Sequence, residues 1–215
     1  MSIAYFGTGD FAVNPLKSLL DLKNSNPNLI SNLVLFTKSD KPIGRNRHKT
    51  NIKSVNNAQI LALENNLPIH YVDAKNDFDH VLNYTSFNMA IACSFGLLIP
   101  SDFIRSLKFG GLNIHPSLLP KHSGSSPLQY TLLNNDSVTG VTVQTLHPTK
   151  FDHGQIVYQS DEYPQIYNSI TDLSDFLSKS GSDLLIHVLK NHLYLSSDRY
   201  IKPLKSYKKN FTKKV

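Results

Sequence analysis

The sequence GLNIHPSLLP, from Gly111 to Pro120, is the most informative stretch because an apolar strand pattern ends there in polar residues. Asn113 and His115 alternate with apolar residues, and the period of two in a strand places both side chains on one face. For this pair alone, hydrogen bonds to the backbone at a strand end are the simpler interpretation. The segment FDHG at 151–154 adds the carboxylate of Asp152 next to another strand. Together the three groups predict a site with a donor, an imidazole and a carboxylate that orients it.

Strand-like and helix-like segments alternate along the chain. Runs rich in β-branched and aromatic residues predict strands at Ile3–Phe6, Leu33–Thr37, Met89–Ser94, Leu112–His115, Gly140–Leu146 and Gln155–Gln159. Apolar residues and flanking signals predict helices at Phe11–Leu22, Ser54–Asn65, Asp77–Tyr84, Leu128–Leu133 and Ile170–Leu189. The alternation predicts an α/β fold with a mainly parallel sheet and helices on both faces. Ligands of such sheets bind at the carboxyl ends of the strands, where Asn113 and His115 fall.

The charge distribution separates two basic segments from a mildly acidic body. The net charge of the 215 residues is +6. Residues 199–215 hold seven basic residues and no acidic one, and residues 38–53 hold six basic residues and one acidic one. A solvated tail explains either segment alone, whereas the two together favour a polyanion such as nucleic acid as partner.

Composition and the pattern of the first residues argue against several protein classes. There is no run of 18 apolar residues, so we expect no membrane span. Cys93 is the single cysteine, which excludes an intramolecular disulfide and fits a reducing compartment. It lies within an apolar run, so we expect a structural role rather than a nucleophile. The strand pattern begins at Ile3, so neither a signal peptide nor an Arg-rich presequence is expected.

Three other motifs suggest rival sites. The pattern GxGxxA at 7–12 is a weak dinucleotide fingerprint, but the expected acidic residue does not follow the second strand. A tight strand-to-helix turn is the simpler interpretation. Ser125 and Ser126 lack the GxSxG context of a nucleophile elbow. His147 and His153 could ligate a metal with a nearby carboxylate, but we interpret them as loop histidines.

Four motifs in order carry a family resemblance. They are ACSFGLLIP at 92–100, NIHPSLLP at 113–120, GVTV at 140–143 and DHG at 152–154. This order resembles the folate-dependent formyltransferases, which have a Rossmann-like fold and use 10-formyltetrahydrofolate without a metal. Within that superfamily, the segment DKPIGRNR at 40–47 resembles the insertion loop of the methionyl-tRNA formyltransferases. The run QTLHP at 144–148 is similar to the fungal mitochondrial branch.

The resemblance implies a reaction and assigns roles to residues. The reaction is transfer of the formyl group to the amino group of methionyl-initiator tRNA, for translation initiation. Asn113 and protonated His115 would donate hydrogen bonds to the formyl oxygen, and Asp152 would favour the protonated imidazole and order a water. The implied folate-binding residues are Phe95, Gly96, Leu97, Leu98, Ser117, Leu118, Leu119 and Pro120. The implied contacts with the methionyl group and the tRNA are Gly7, Thr8, Phe11, Arg45 and Arg47.

The resemblance also implies an organisation of the chain. Residues 1–198 would form the catalytic domain and residues 199–215 a basic linker or tail, with the C-terminal β-barrel domain of the family absent. Ser123 stands where the family usually has a basic residue. We expect a monomer, in the mitochondrial matrix of a eukaryote although no presequence is visible, or in the cytoplasm of a bacterium. Two alternatives stay open: a formyltransferase acting on a small amine such as glycinamide ribonucleotide, and a truncated relic that binds folate or RNA without catalysis.

Overall fold

A computed structural model of the chain describes residues 1–40, 56–81 and 86–195, and Arg45, Arg47 and the basic segment at 199–215 lie outside these described residues. The helices and strands are, in chain order, β1 (Ser2–Gly7), α1 (Val13–Ser25), β2 (Asn32–Thr37), α2 (Asn57–Glu64), β3 (Ile69–Tyr71), α3 (Asp77–Val81), β4 (Met89–Cys93), α4 (Ser101–Ser106), β5 (Gly111–His115), α5 (Pro127–Leu133), β6 (Val138–Thr139), β7 (Thr142–Thr145), β8 (Ile156–Gln159), β9 (Tyr163–Pro164) and α6 (Ile170–Lys190). Short 3₁₀ turns lie at Asp10–Ala12 and Leu193–Leu195.

Seven strands form the central sheet in the order β3-β2-β1-β4-β5-β7-β8. The pairs from β3 to β5 are parallel, whereas β7 pairs antiparallel with both β5 and β8. A short loop joins β7 to β8, and only antiparallel neighbours can be joined without a crossover. The mainly parallel sheet predicted from the sequence is thus confirmed, with an antiparallel hairpin at one side.

Both faces of the sheet are buried, which explains why the central strands are apolar throughout. On one face, Ile3 and Tyr5 pack in a cluster with residues of α1 and α6. On the other face, Ala4 and Phe6 pack in a second cluster that is rich in phenylalanine. The period of two in each strand divides its residues between the two clusters.

Helix α6 lies against β5 and β7 and supports the strands that carry the predicted site. Its N-cap is Ser169, whose Oγ accepts a hydrogen bond of 3.1 Å from the Asp172 backbone N–H. A Cβ at Gly181 would lie 2.9 Å from Ile114 Cγ2. The glycine therefore allows the close approach of α6 to the face of β5 opposite Asn113 and His115.

Four short elements were not predicted: β3, β6, β9 and α4. The three strands have two or three residues each, and α4 has six, so each is too short for a periodic pattern to be recognised. No helix in the described residues is both long and apolar enough to cross a membrane.

Cys93 is expected to be unreactive in the folded protein. It is fully buried, its thiol donates to the Phe11 carbonyl oxygen at 3.7 Å, and burial raises its pKa to about 12. Since the thiolate is the reactive form, alkylation by iodoacetamide at pH 8 should be about 10³-fold slower than for an unperturbed thiol. Mass spectrometry should find the single cysteine alkylated in denaturant and unmodified in the native protein. Equal rates in both conditions would contradict the buried placement.

Candidate active site

The predicted site residues lie at the edge of the sheet where the parallel strands end. In the pairing of β1 with β4 and of β4 with β5, Gly7 is opposite Cys93 and Cys93 is opposite Ile114. The loops that follow these three strands therefore begin side by side. This edge is where α/β sheets bind ligands.

The structure brings Asn113, His115 and Asp152 together. The Asn113 amide Nδ2 donates to Asp152 Oδ1 at 3.2 Å, and His115 Nδ1 lies 3.4 Å from the same oxygen. Asn113 and His115 project from one face of β5, and Asp152 reaches them from the loop between β7 and β8. The side chains of His115 and Asp152 are 6% and 7% exposed, so this contact is shielded from water.

The contacts of His115 indicate which form of the imidazole fits the site. Its Nε2 lies 2.9 Å from the backbone carbonyl oxygen of His122, and a carbonyl oxygen can only accept. Nε2 therefore carries a proton. The contact of Nδ1 with Asp152 is favourable only when Nδ1 also carries a proton, which is the imidazolium form.

The two predicted donors differ in what they can offer a ligand. Both ring nitrogens of His115 face protein oxygens, so His115 can donate to a ligand only after it turns away from His122. Asn113 donates one N–H to Asp152. Its second N–H has no assigned partner within the described part of the chain, and Asn113 is the more exposed of the two. Asn113 is thus the donor already available to a ligand.

Two further groups hold Asp152, and sequence analysis missed both. The Gln144 side chain donates from Nε2 to Oδ1 at 2.9 Å, and the Gly124 backbone N–H donates to Oδ2 at 2.8 Å. Both carboxylate oxygens of Asp152 thus accept hydrogen bonds from N–H groups. Asp152 itself has a φ of +50°, a conformation that a non-glycine residue adopts only when its surroundings hold it there.

The loop after β5 is built around the hydroxyl of Thr142. Its Oγ1 donates to the Ser117 carbonyl oxygen at 2.7 Å and accepts from the Leu119 N–H at 3.0 Å. Ser117 and Leu119 are buried, whereas Leu118 and Pro120 are half-buried. Of these four predicted folate-binding residues, the two half-buried ones are the more accessible to solvent.

His122 is fixed by a second carboxylate. Its Nε2 lies 2.5 Å from Asp136 Oδ2, and Lys121 Nζ lies 2.9 Å from Asp136 Oδ1. His122 has a φ of +52° and is 3% exposed. The anchored side chain holds the backbone whose carbonyl oxygen faces His115.

With this geometry established, the comparisons with known proteins decide the family. Residues 1–189 match the family model described as Formyl transferase.

The chain belongs to the formyl transferase family.

Relatives of the chain include proteins named methionyl-tRNA formyltransferase. The mitochondrial methionyl-tRNA formyltransferase of Saccharomyces cerevisiae is 32% identical over an alignment of 253 positions, which covers 100% of this chain and 62% of the relative. The methionyl-tRNA formyltransferase of Ehrlichia chaffeensis is 33% identical over 193 residues, which cover 89% of this chain and 61% of the relative. The chain therefore spans about three fifths of the length of these two relatives.

A solved structure supports the fold independently. Glycinamide ribonucleotide transformylase 1 from Symbiobacterium toebii superposes with a TM-score of 0.72 at 16% identity, over 93% of this chain and 92% of that one. At this identity the likeness concerns the fold alone. The Rossmann-like fold and the formyltransferase family that the sequence predicted are both confirmed.

The segment after β4 forms a second loop at the same edge of the sheet. Phe95 is buried in the phenylalanine-rich cluster, Leu97 packs against that cluster, and Leu98 is 41% exposed. Gly96 has a φ of +73° and an exposed backbone, and a Cβ there would lie 3.2 Å from Lys38 Nζ. The loop thus presents backbone and one apolar side chain toward the edge, while Phe95 anchors it.

The segment after β1 contributes backbone to the edge. Gly7 is buried, and Phe11 lies in the core with its carbonyl oxygen accepting from Ser178 Oγ at 2.8 Å. Thr8 is half-buried. In the turn that follows, Asp10 Oδ1 accepts a hydrogen bond from Asn57 Nδ2 at 2.6 Å. Of the three predicted residues, Thr8 has its side chain best placed for a ligand.

Proposed function

We propose that this chain transfers a formyl group from 10-formyltetrahydrofolate to the amino group of methionyl-initiator tRNA. The observation that carries the proposal is the buried Asp152 carboxylate in contact with both Asn113 and His115, at the ligand-binding edge of a formyl transferase fold. The relatives named methionyl-tRNA formyltransferase support the choice of acceptor.

Negative charge develops on the formyl oxygen as the methionyl amine attacks the formyl carbon. The bond from the amine nitrogen to that carbon forms while the bond from the carbon to the folate nitrogen breaks, and one amine proton moves to the folate nitrogen. In our proposal the second N–H of Asn113 donates to the formyl oxygen. A preorganised donor of this kind contributes about 2.7–4 kcal/mol of transition-state stabilisation.

His115 and Asp152 act in this proposal as a charged pair behind Asn113. A cationic His115 strengthens the positive potential at the formyl oxygen, because charges act strongly where water is excluded. Asp152 keeps the imidazolium in place and orders a water that carries the amine proton. When His115 turns from the His122 carbonyl oxygen, its Nε2–H becomes a second donor to the formyl oxygen.

The two loops at the edge are proposed to hold the folate. The exposed backbone around Gly96 offers hydrogen-bonding groups. The half-buried Leu97 and the exposed Leu98 offer an apolar surface beside it. Leu118 and Pro120 offer apolar surface from the loop after β5. Small-molecule sites typically combine apolar surface with a few hydrogen-bonding groups that fix the orientation of the ligand. Phe95, Ser117 and Leu119 support these loops from the interior.

The acceptor is proposed to enter from the side of β1. Gly7, Thr8 and Phe11 would lie near the methionyl group, and Arg45 and Arg47 would contact phosphates or bases of the tRNA acceptor arm. We propose that the chain acts as a monomer. If its source is a eukaryote, the similarity to the yeast mitochondrial enzyme favours the mitochondrial matrix.

A direct assay of the purified chain tests this function. Charged initiator methionyl-tRNA and glycinamide ribonucleotide are offered separately with 10-formyltetrahydrofolate, and formylated products are identified by mass spectrometry. We expect formylmethionyl-tRNA and no formylated ribonucleotide. Formylation of the ribonucleotide instead would establish the small-amine alternative, and folate binding by calorimetry without any transfer would establish a binding protein.

A further inference from the structure

Gln144 is a buried polar residue that takes no direct part in the bond changes of the proposed reaction. It lies in β7 directly opposite Asn113 of β5, in the pairing of these two strands. Its side chain is on the same face as Asn113 and is only 1% exposed. The residue therefore belongs to the inner wall of the site rather than to the surface that meets a ligand.

The amide of Gln144 makes the shortest side-chain contact with Asp152 Oδ1. The Gln144 Nε2 distance is 2.9 Å, compared with 3.2 Å for Asn113 Nδ2 and 3.4 Å for His115 Nδ1. Three groups thus converge on one oxygen, and Gln144 is the nearest. The other oxygen, Oδ2, accepts from the Gly124 backbone. Gln144 and Gly124 therefore hold the carboxylate from two sides.

The carbonyl oxygen of the Gln144 amide indicates that packing alone does not explain why a glutamine lies at this position. Its Oε1 is buried and has no hydrogen-bond partner among the described residues. A buried acceptor without a partner is unfavourable for stability, and an apolar side chain of similar length would avoid this cost. The benefit of an amide here lies in the N–H that faces Asp152.

We infer that Gln144 is a positioning residue for formyl transfer, which rests on the proposed function. It holds Asp152 Oδ1 where that oxygen meets both His115 Nδ1 and Asn113 Nδ2. Without this N–H, the carboxylate can turn about its bond to Cβ, and the orientation of His115 and Asn113 becomes less defined. Gln144 acts through these residues and does not touch the substrates.

Gln144→Met tests the role, because methionine keeps the length of the side chain and removes the donor. We expect kcat to fall about ten- to hundredfold, the range for losing one hydrogen bond to a charged group, with the KM of both substrates changed less than about threefold. Gln165→Met is the matched control. Gln165 donates from Nε2 to the Tyr167 carbonyl oxygen, away from the site, and its substitution should leave kcat unchanged.

Gln144→Glu provides a second variant of the same shape with a distinctive pH dependence. When protonated, the new carboxyl group can donate to Asp152, and when ionised it repels Asp152. The ratio of wild-type to Gln144→Glu activity should therefore rise with pH, whereas the ratio for Gln144→Met should stay constant.

The imidazole ¹⁵N resonances of His115 give a readout that needs no activity. They are assigned by their loss in His115→Ala. We expect Gln144→Met to shift them and Gln165→Met to leave them in place. Unchanged His115 resonances, a kcat within twofold of wild type, or a change confined to KM would each overturn the positioning role. Absence of formyl transfer by the wild type would overturn the proposed function, whereas the resonances would still decide the role of Gln144.

Discussion

Asp152→Asn is expected to lower kcat for formyl transfer by about 10²- to 10⁴-fold, the contribution of a well-placed acid–base group, with little change in the KM of either substrate. The carboxylate accepts from Asn113, Gln144 and Gly124 and contacts His115. In the variant, an NH₂ group replaces one of these oxygens and faces N–H groups. The variant also loses the carboxylate charge beside His115 Nδ1.

The measurement is steady-state formylation of charged initiator tRNA, with circular dichroism to confirm that the variant is folded. Asp175→Asn is a suitable control, because Asp175 is an exposed carboxylate on α6 that pairs with Lys179. It should retain wild-type kcat. A folded Asp152→Asn protein with kcat within threefold of wild type would remove Asp152 from the mechanism.

The sequence predicted the fold well because the sheet is buried on both faces. Such strands are apolar runs that stand out from their surroundings, and all six predicted strands are present in the described structure. The direction of β7 could not be predicted, since an apolar run does not specify whether its neighbour is parallel. Only the antiparallel pairing of β7 with β8 was predictable, because the chain between these two strands is too short for a crossover.

The sequence predicted that Asn113, His115 and Asp152 lie in one site, but it could not predict the hydrogen bonds between them. Asn113 and His115 follow from the period of two in β5, and Asp152 from its place after an apolar strand. The contact of His115 with the His122 carbonyl oxygen depends on the path of a turn in which His122 has a φ of +52°. Periodicity carries no information about such backbone conformations.

Gln144 could have been found from the sequence. It is the one amide in the apolar run GVTVQTL, and a buried strand that carries an amide requires a polar partner. What the sequence lacks is the register between β5 and β7, which sets Gln144 opposite Asn113. Without that register, the amide had no predictable partner.

Gly154→Ala is expected to destabilise the protein by ~2 kcal/mol or more and to abolish most of its activity. A Cβ at Gly154 would overlap the carbonyl oxygen of Thr145, so the backbone of one strand end has to move. At this point Thr145 and Gln155 are joined by a backbone hydrogen bond of 2.8 Å from the Thr145 N–H to the Gln155 carbonyl oxygen. The displacement therefore reaches Asp152, two residues before the glycine.

Gly110→Ala is a control that separates the effect of this overlap from the loss of stability caused by replacing any glycine in a left-handed conformation. A Cβ at Gly110 meets nothing within 4 Å, so its cost is that of a left-handed conformation with φ of +62°, about 1–2 kcal/mol. Urea unfolding should rank wild type above Gly110→Ala and Gly110→Ala above Gly154→Ala, and kcat should fall in Gly154→Ala alone. If Gly154→Ala kept the stability and the kcat of the wild type, the loop that carries Asp152 would tolerate displacement. That result would contradict the claim that Gln144 and Gly124 fix the position of the Asp152 carboxylate.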